Sequence, residues 1–160
     1  MPPEENTNGL GKLLNALIKI NNRRIENYYR ARDRIKDNTH LKIVFMERIK
    51  QSANFILDLK EYLSGANDKP SQNVLSSGTG LKKWINIKRF STSENASILG
   101  RCEMEEESAI KAYEQTLLSK AEIPGELRFK ISQQQKEIMS SYEFIKKFRD
   151  FNLDLSSWSE

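Results

Sequence analysis

Cysteine and histidine each occur once in the 160 residues, as Cys102 and His40. One cysteine cannot form an intrachain disulfide or a Cys-based zinc site, and it fits a reducing compartment better than a secreted one. One histidine removes Ser-His-Asp and Cys-His triads unless His40 is the base, and it removes any site that needs two imidazoles. Glycine (7) and proline (4) are too few for a collagen-like or broadly disordered chain. No apolar run approaches the roughly 18 residues that a membrane span needs. The start, Met1-Pro-Pro-Glu-Glu5, lacks the basic and apolar regions of a signal peptide. The expected location is the cytoplasm.

The residues that are plentiful are helix formers. Net charge is +4, unevenly spread: residues 10–37 hold eight Lys/Arg against three acids, and residues 94–120 hold six Glu against three bases. Apolar positions recur at steps of three and four in four stretches. Leu10, Leu14, Leu17, Asn21, Ile25, Tyr28, Arg32 and Ile35 form the first stripe, predicting a helix over 10–36. Asn38 or Thr39 can cap a second helix over 40–63, with Leu41, Phe45, Arg48, Ser52, Phe55, Leu59 and Tyr62 on its stripe. A third helix, 94–119, carries Leu99, Glu103, Glu106, Ile110, Tyr113 and Leu117. Pro124 suits a first helical position, and the fourth helix, 124–150, carries Leu127, Ile131, Gln134, Ile138, Ser141, Ile145 and Phe148. Residues 1–9 are expected to be disordered, 64–93 to form a crossover and 151–160 a polar tail.

The fold class expected is all-α, a ferritin-like four-helix bundle. The connections between helices 1 and 2 and between helices 3 and 4 are short, so each pair runs antiparallel. The connection between helices 2 and 3 is about thirty residues, enough to run the length of a helix of about 38 Å and leave helices 2 and 3 parallel. One long crossover between two hairpins is the ferritin-like arrangement.

Polar residues interrupt the apolar stripes near mid-helix: Asn21, with Glu26 at the stripe's edge, on helix 1; Ser52 on helix 2, with Glu47 and Gln51 nearby; Glu103 and Glu106 on helix 3; Gln134 on helix 4. A carboxylate facing a core is costly unless it is paired, hydrogen-bonded or metal-bound. Di-iron bundles supply two Glu-x-x-His pairs, and this sequence has none. A carboxylate-only site of Glu26, Glu103 and Glu106 for Mg²⁺, Mn²⁺ or Ca²⁺ is one reading. The plainer reading is a hydrogen-bonded layer. In it the glutamates pair with Arg24, Arg32, Arg48 or Lys50, and Asn21, Gln51, Ser52 and Gln134 complete the network. A third is that a small helix rotation exposes the glutamates.

Four local strings point to a family. They are Leu14-Asn-x-Leu-Ile-x-Ile-Asn-Asn22 followed by Arg24-Ile-Glu-Asn-Tyr28; Gln51-Ser52 with Phe55; Gly80-Leu-Lys-Lys-Trp84-Ile-Asn-Ile-Lys88; and Cys102-Glu103 followed by Glu106, Ala109 and Tyr113-Glu114. Over residues 10–150 the chain resembles the bacterial ferritin-like four-helix-bundle proteins known as a domain of unknown function. The resemblance implies a ferritin-like bundle and adds no biochemistry. Helix 4 of that family often carries a His where this chain has Tyr142, which lowers the expectation of metal binding here. Helix 3 has Glu105 where small residues are common.

Other features have bland counterparts. Arg23, Arg30 and Arg34, with Lys82, Lys83, Lys88 and Arg89, could touch phosphates while Tyr29 and Trp84 stack on bases; equally, they are a solvated face. Cys102 lies among Glu103, Glu105 and Glu106, which favours an inert thiol. The functional expectation is a non-catalytic structural or protein-interaction bundle that self-associates, with no cofactor, membrane or enzymatic activity. The alternatives are a divalent-metal-binding ferritin relative and a weak nucleic-acid binder.

Overall fold

The computed structural model describes residues 2–65 and 94–158, with side chains over 9–64 and 94–150. Four helices occupy them: α1 (Pro2–Arg34), α2 (Thr39–Gly65), α3 (Glu94–Leu118) and α4 (Gly125–Trp158). There is no strand among the described residues.

Two helices are longer than their apolar periodicity indicates. α1 begins at Pro2, not near Leu10, so the expected disordered segment 1–9 is helical from Pro2 on. Prolines in a first turn have no N–H to leave unpaired and hold a helical φ. α4 runs to Trp158, so the expected tail beyond residue 150 is helical as far as Trp158. The N-terminal end does not continue the apolar repeat at steps of three and four, so periodicity alone does not mark it. The expected crossover residues 66–93 lie outside the described residues.

The turns have clear local causes. Asn38 Oδ1 accepts from Leu41 N (3.0 Å), capping α2 at a backbone donor that has no partner within the helix. Asp37 has φ 54°, a left-handed conformation that Asp tolerates better than most side chains. Pro124 stands just before α4, and its carbonyl accepts the first helical bond from Arg128 N (2.9 Å). Across the bundle end, Asn95 holds the α1–α2 turn. Its Oδ1 accepts from Lys36 N (3.1 Å), and its Nδ2 donates to Lys36 O (3.0 Å).

Register fixes the topology. Arg24 meets Glu106, Asn21 meets Tyr113, and Lys36 meets Asn95, so α1 and α3 are antiparallel neighbours. Asp58 meets Lys130 and Gln51 meets Ser141, so α2 and α4 are antiparallel too. With α1–α2 and α3–α4 as antiparallel hairpins, α2 and α3 point the same way. The end of α2 and the start of α3 therefore lie at opposite ends of the bundle, the directions of a bundle with one long crossover.

The core is in two parts. One apolar cluster gathers Leu14, Leu17, Phe55, Leu59, Leu63, Tyr113, Leu127 and Ile131. The other gathers Tyr28, Ile35, Leu41, Phe45, Leu99, Cys102 and Ile145. Leu17 is fully buried and Leu118 is 76% exposed. Leu17→Ala is expected to cost about 3 kcal/mol through lost transfer energy and a cavity. Leu118→Ala is expected to cost less than about 0.5 kcal/mol. Urea unfolding of the two variants checks the contrast.

Candidate functional site: a polar layer across the bundle

Between the two apolar clusters, all four helices contribute polar side chains. Arg24 of α1 is at the centre. Its Nε donates to Glu106 Oε1 (2.6 Å) and its Nη2 to Glu106 Oε2 (2.8 Å), a two-pronged pair with α3. Its Nη1 donates to Ser52 Oγ (2.7 Å), and its Nη2 also reaches Gln51 Oε1 (3.0 Å), both on α2. Ser141 Oγ of α4 approaches the same Gln51 oxygen at 3.5 Å. The Arg24 and Glu106 side chains are 1% and 0% exposed. Burial disfavours the guanidinium charge, but the Glu106 carboxylate outweighs it, and the Arg24 pKa is raised.

One turn away lies a second polar link. Asn21 Nδ2 donates to Tyr113 Oη (2.8 Å) and also to Leu17 O (2.9 Å). Tyr113 Oη donates in turn to Gln134 Oε1 (2.6 Å), and Gln134 Nε2 points to the Phe55 carbonyl at 3.5 Å. Burial pushes the Tyr113 phenol up, so it stays a hydrogen-bond donor at ordinary pH.

The charge asymmetry of the sequence is explained by these contacts. Basic α1 faces acidic α3, and beside the central pair Glu105 binds Arg23 (2.7 Å) and Arg101 (2.5 Å). Arg101 and Glu105 are each 5% exposed. Burial, with Arg23 as a like charge, lowers the Arg101 pKa, and Glu105 opposes both.

The glutamates considered for metal are not gathered. Glu106 is held by Arg24. Glu26 is half-buried against Arg30 on its own helix (2.5 Å). Glu103 turns toward α4 and Arg149, whose Nη1 lies 2.8 Å from Oε2, a charge contact without the alignment of a hydrogen bond. Among the described residues, no group of three or more His, Cys, Asp or Glu could hold a metal ion. The physical reason is rotation. α3 buries Glu105 and Glu106 and leaves Glu103 half-buried at its edge, one position away from the stripe drawn through 99, 103 and 106. The residues missed as a unit were Arg101 and Arg149. The four-residue step from Arg101 to Glu105 was a visible signal for the first; nothing local marks the second.

On the basic face, Arg23 and Arg30 are engaged by Glu105 and Glu26. Tyr29 is 41% exposed, with Arg32 over its ring at 4.9 Å. Lys82, Lys83, Trp84, Lys88 and Arg89 lie outside the described residues. His40 is exposed at the start of α2. Cys102 is fully buried, and burial first, then Glu106, raises its pKa well beyond the ordinary thiol range. Tyr28 is also fully buried and its pKa is raised, chiefly by burial. Its hydroxyl has no hydrogen-bond partner among the described residues.

The arrangement defines an all-α four-helix bundle whose core is crossed by a charged, internally bonded layer. Residues 11–119, which include α3 and most of α1, match the family described as Domain of unknown function (DUF2383), and the chain belongs to that family. No curated protein matches the chain. Among the described residues, no helix is long and apolar enough to cross a membrane.

Glu106→Gln leaves the Arg24 charge buried and unbalanced, and is expected to cost about 3–5 kcal/mol. Arg24→Met combined with Glu106→Leu is expected to recover most of that loss, a coupling that urea unfolding of the singles and the double will measure. Cys102, Tyr28 and Tyr113 all have raised pKa values in the folded state. Their contribution to stability is complete below the pH at which the unfolded thiol and phenols ionise, and is lost as pH rises through that range. The urea midpoint is therefore expected to fall from about pH 8.5 upward, less steeply in Tyr28→Phe.

Proposed function

We propose that this chain is a non-catalytic, ferritin-like bundle that acts through protein contacts, with self-association as the first case to examine. The observation that carries the reading is the Arg24–Glu106 pair. Both oxygens of the deepest carboxylate accept from one guanidinium that is itself tied to α2. A divalent ion would have to displace a buried positive charge to reach Glu106. Glu26 and Glu103, the other two residues of a carboxylate-only site, each have an arginine within ion-pair range. The layer thus does the work of a register pin, a role buried polar groups can fill in helical assemblies.

Interaction rather than chemistry also fits the surface. Large apolar side chains stand exposed on α2, α3 and α4, among them Leu57, Met104, Leu118 and Phe129. The lone cysteine fits a reducing compartment, and the cytoplasm is the proposed location.

The deciding measurement is the melting temperature of chelator-stripped protein with Mg²⁺, Mn²⁺, Fe²⁺ or Zn²⁺. The expected result is no rise beyond about 1 °C with any ion. A rise that Glu106→Gln abolishes would replace this reading with the metal-binding alternative. Sedimentation equilibrium over a wide concentration range tests self-association in the same preparation. A single monomeric mass throughout would remove that part of the proposal.

A further inference from the structure

The four seams of the bundle are unequally closed. Across α1/α3 the described polar contacts are short: Arg24 to Glu106 at 2.6 and 2.8 Å, Asn21 to Tyr113 at 2.8 Å, Arg23 to Glu105 at 2.7 Å. These are charge-assisted or well-placed bonds, and most are buried. The hairpin seams α1/α2 and α3/α4 are long, with many close backbone approaches, and each pair is tied by a short turn.

The α2/α4 seam differs. Its helices make few close backbone approaches. Among the described residues its polar links include Gln134 Nε2 to the Phe55 carbonyl at 3.5 Å, Ser141 Oγ to Gln51 Oε1 at 3.5 Å, and Lys130 to Asp58 at 3.6 Å. Two cation–ring contacts, Arg48 over Phe144 at 5.8 Å and Lys130 over Tyr62 at 5.9 Å, span the same seam, and Tyr62 also meets Glu126 at its rim. Bonds at 3.5 Å are at the weak limit of hydrogen bonding.

We propose that the bundle opens as a book, with the α1/α3 seam as its spine and the α2/α4 seam as its fore-edge. The two hairpins separate along α2/α4 in a sub-global opening that leaves the Arg24–Glu106 pair closed. The opening uncovers the inner faces of α2 and α4, including Phe55, Gln134, Ile138 and Ser141. Cooperative units that open below the global unfolding energy follow such divisions between supersecondary motifs. The device is independent of whether the chain has a partner.

Cys102 provides a built-in reporter for the spine, since it is fully buried on α3 in the apolar cluster it shares with Tyr28, Ala31 and Ile35 of α1. Ser141→Cys in a Cys102→Ser background puts a thiol of nearly the same size at the fore-edge, at a position that is fully buried. The full chain is labelled with N-ethylmaleimide under native conditions and at low urea. Each rate is normalised to the same thiol in unfolded protein and compared with the global stability of its own variant. The expected result is that the fore-edge thiol labels at least about tenfold faster than global unfolding allows, with little urea dependence. Cys102 in the wild-type chain labels no faster than global unfolding allows, with full urea dependence. Equal protection and equal urea dependence at the two positions would overturn the proposal, as would faster labelling of Cys102. Should Ser141→Cys fail to fold, Ile138→Cys in the same background is read the same way.

Discussion

The Arg24–Glu106 pair is the constraint around which the rest of this bundle is arranged. It joins the two hairpins, lies where the apolar core divides, and is nearly inaccessible to water. A buried ion pair is weak evidence for stability, because removing two charges from water can cost more than their attraction returns. Its value here is positional. One guanidinium reaches α2 and α3 from α1 at the same level, and Gln51 passes the contact on toward α4. α1, α2 and α3 are thereby held at one height, while α4 is reached only at 3.5 Å.

The same pair accounts for the neighbour relations. Two hairpins can dock with α1 beside α3 or with α1 beside α4. α1 is rich in arginine and α3 in glutamate, and Glu105 and Glu106 meet three arginines across and along that seam. α4 offers α1 no such match, since its buried stripe carries Gln134 and Ser141 and no carboxylate. Electrostatic complementarity selects partners more strongly than it adds affinity. Charge patterning thus chooses the arrangement, and apolar burial supplies the bulk of the stability.

Much of this was legible in the residues. The stripe through Leu127, Ile131, Gln134, Ile138, Ser141 and Ile145 is the buried face of α4, because α4 runs regularly and its polar members are small or uncharged; its last member, Phe148, is half-buried. Asn38 and Thr39 were both legible as caps, and the contact with Leu41 N selects Asn38. Gln51, Ser52 and Glu106 were legible as members of one layer, since a core glutamate needs a cation, a metal or a hydrogen-bond partner, but Arg24 was only one of four cations that could serve, with Arg32, Arg48 and Lys50. The reading failed where long charged side chains blur the edge of a stripe. Glu103 and Glu105 differ by about 200° around a helix, yet either could be drawn into an apolar face by eye. Which one faces inward depends on the cations opposite, Arg149 for one and Arg23 for the other, and that is tertiary information. The helix end before residue 10 was illegible for a different reason: no apolar repeat at steps of three and four continues into it.

The division of the core has a mechanical consequence. Helices packed by uniform apolar stripes can slide past one another by a turn, about 5.4 Å, because one layer of leucine resembles the next. In this bundle such a step along the axis would carry Glu106 off the guanidinium and set it against hydrocarbon. The layer acts as a detent, and it removes piston-like travel from the motions open to the molecule. A displacement arriving at one end of a helix can pass to the other end by rotation or by sideways parting of the hairpins, but not by translation along the bundle.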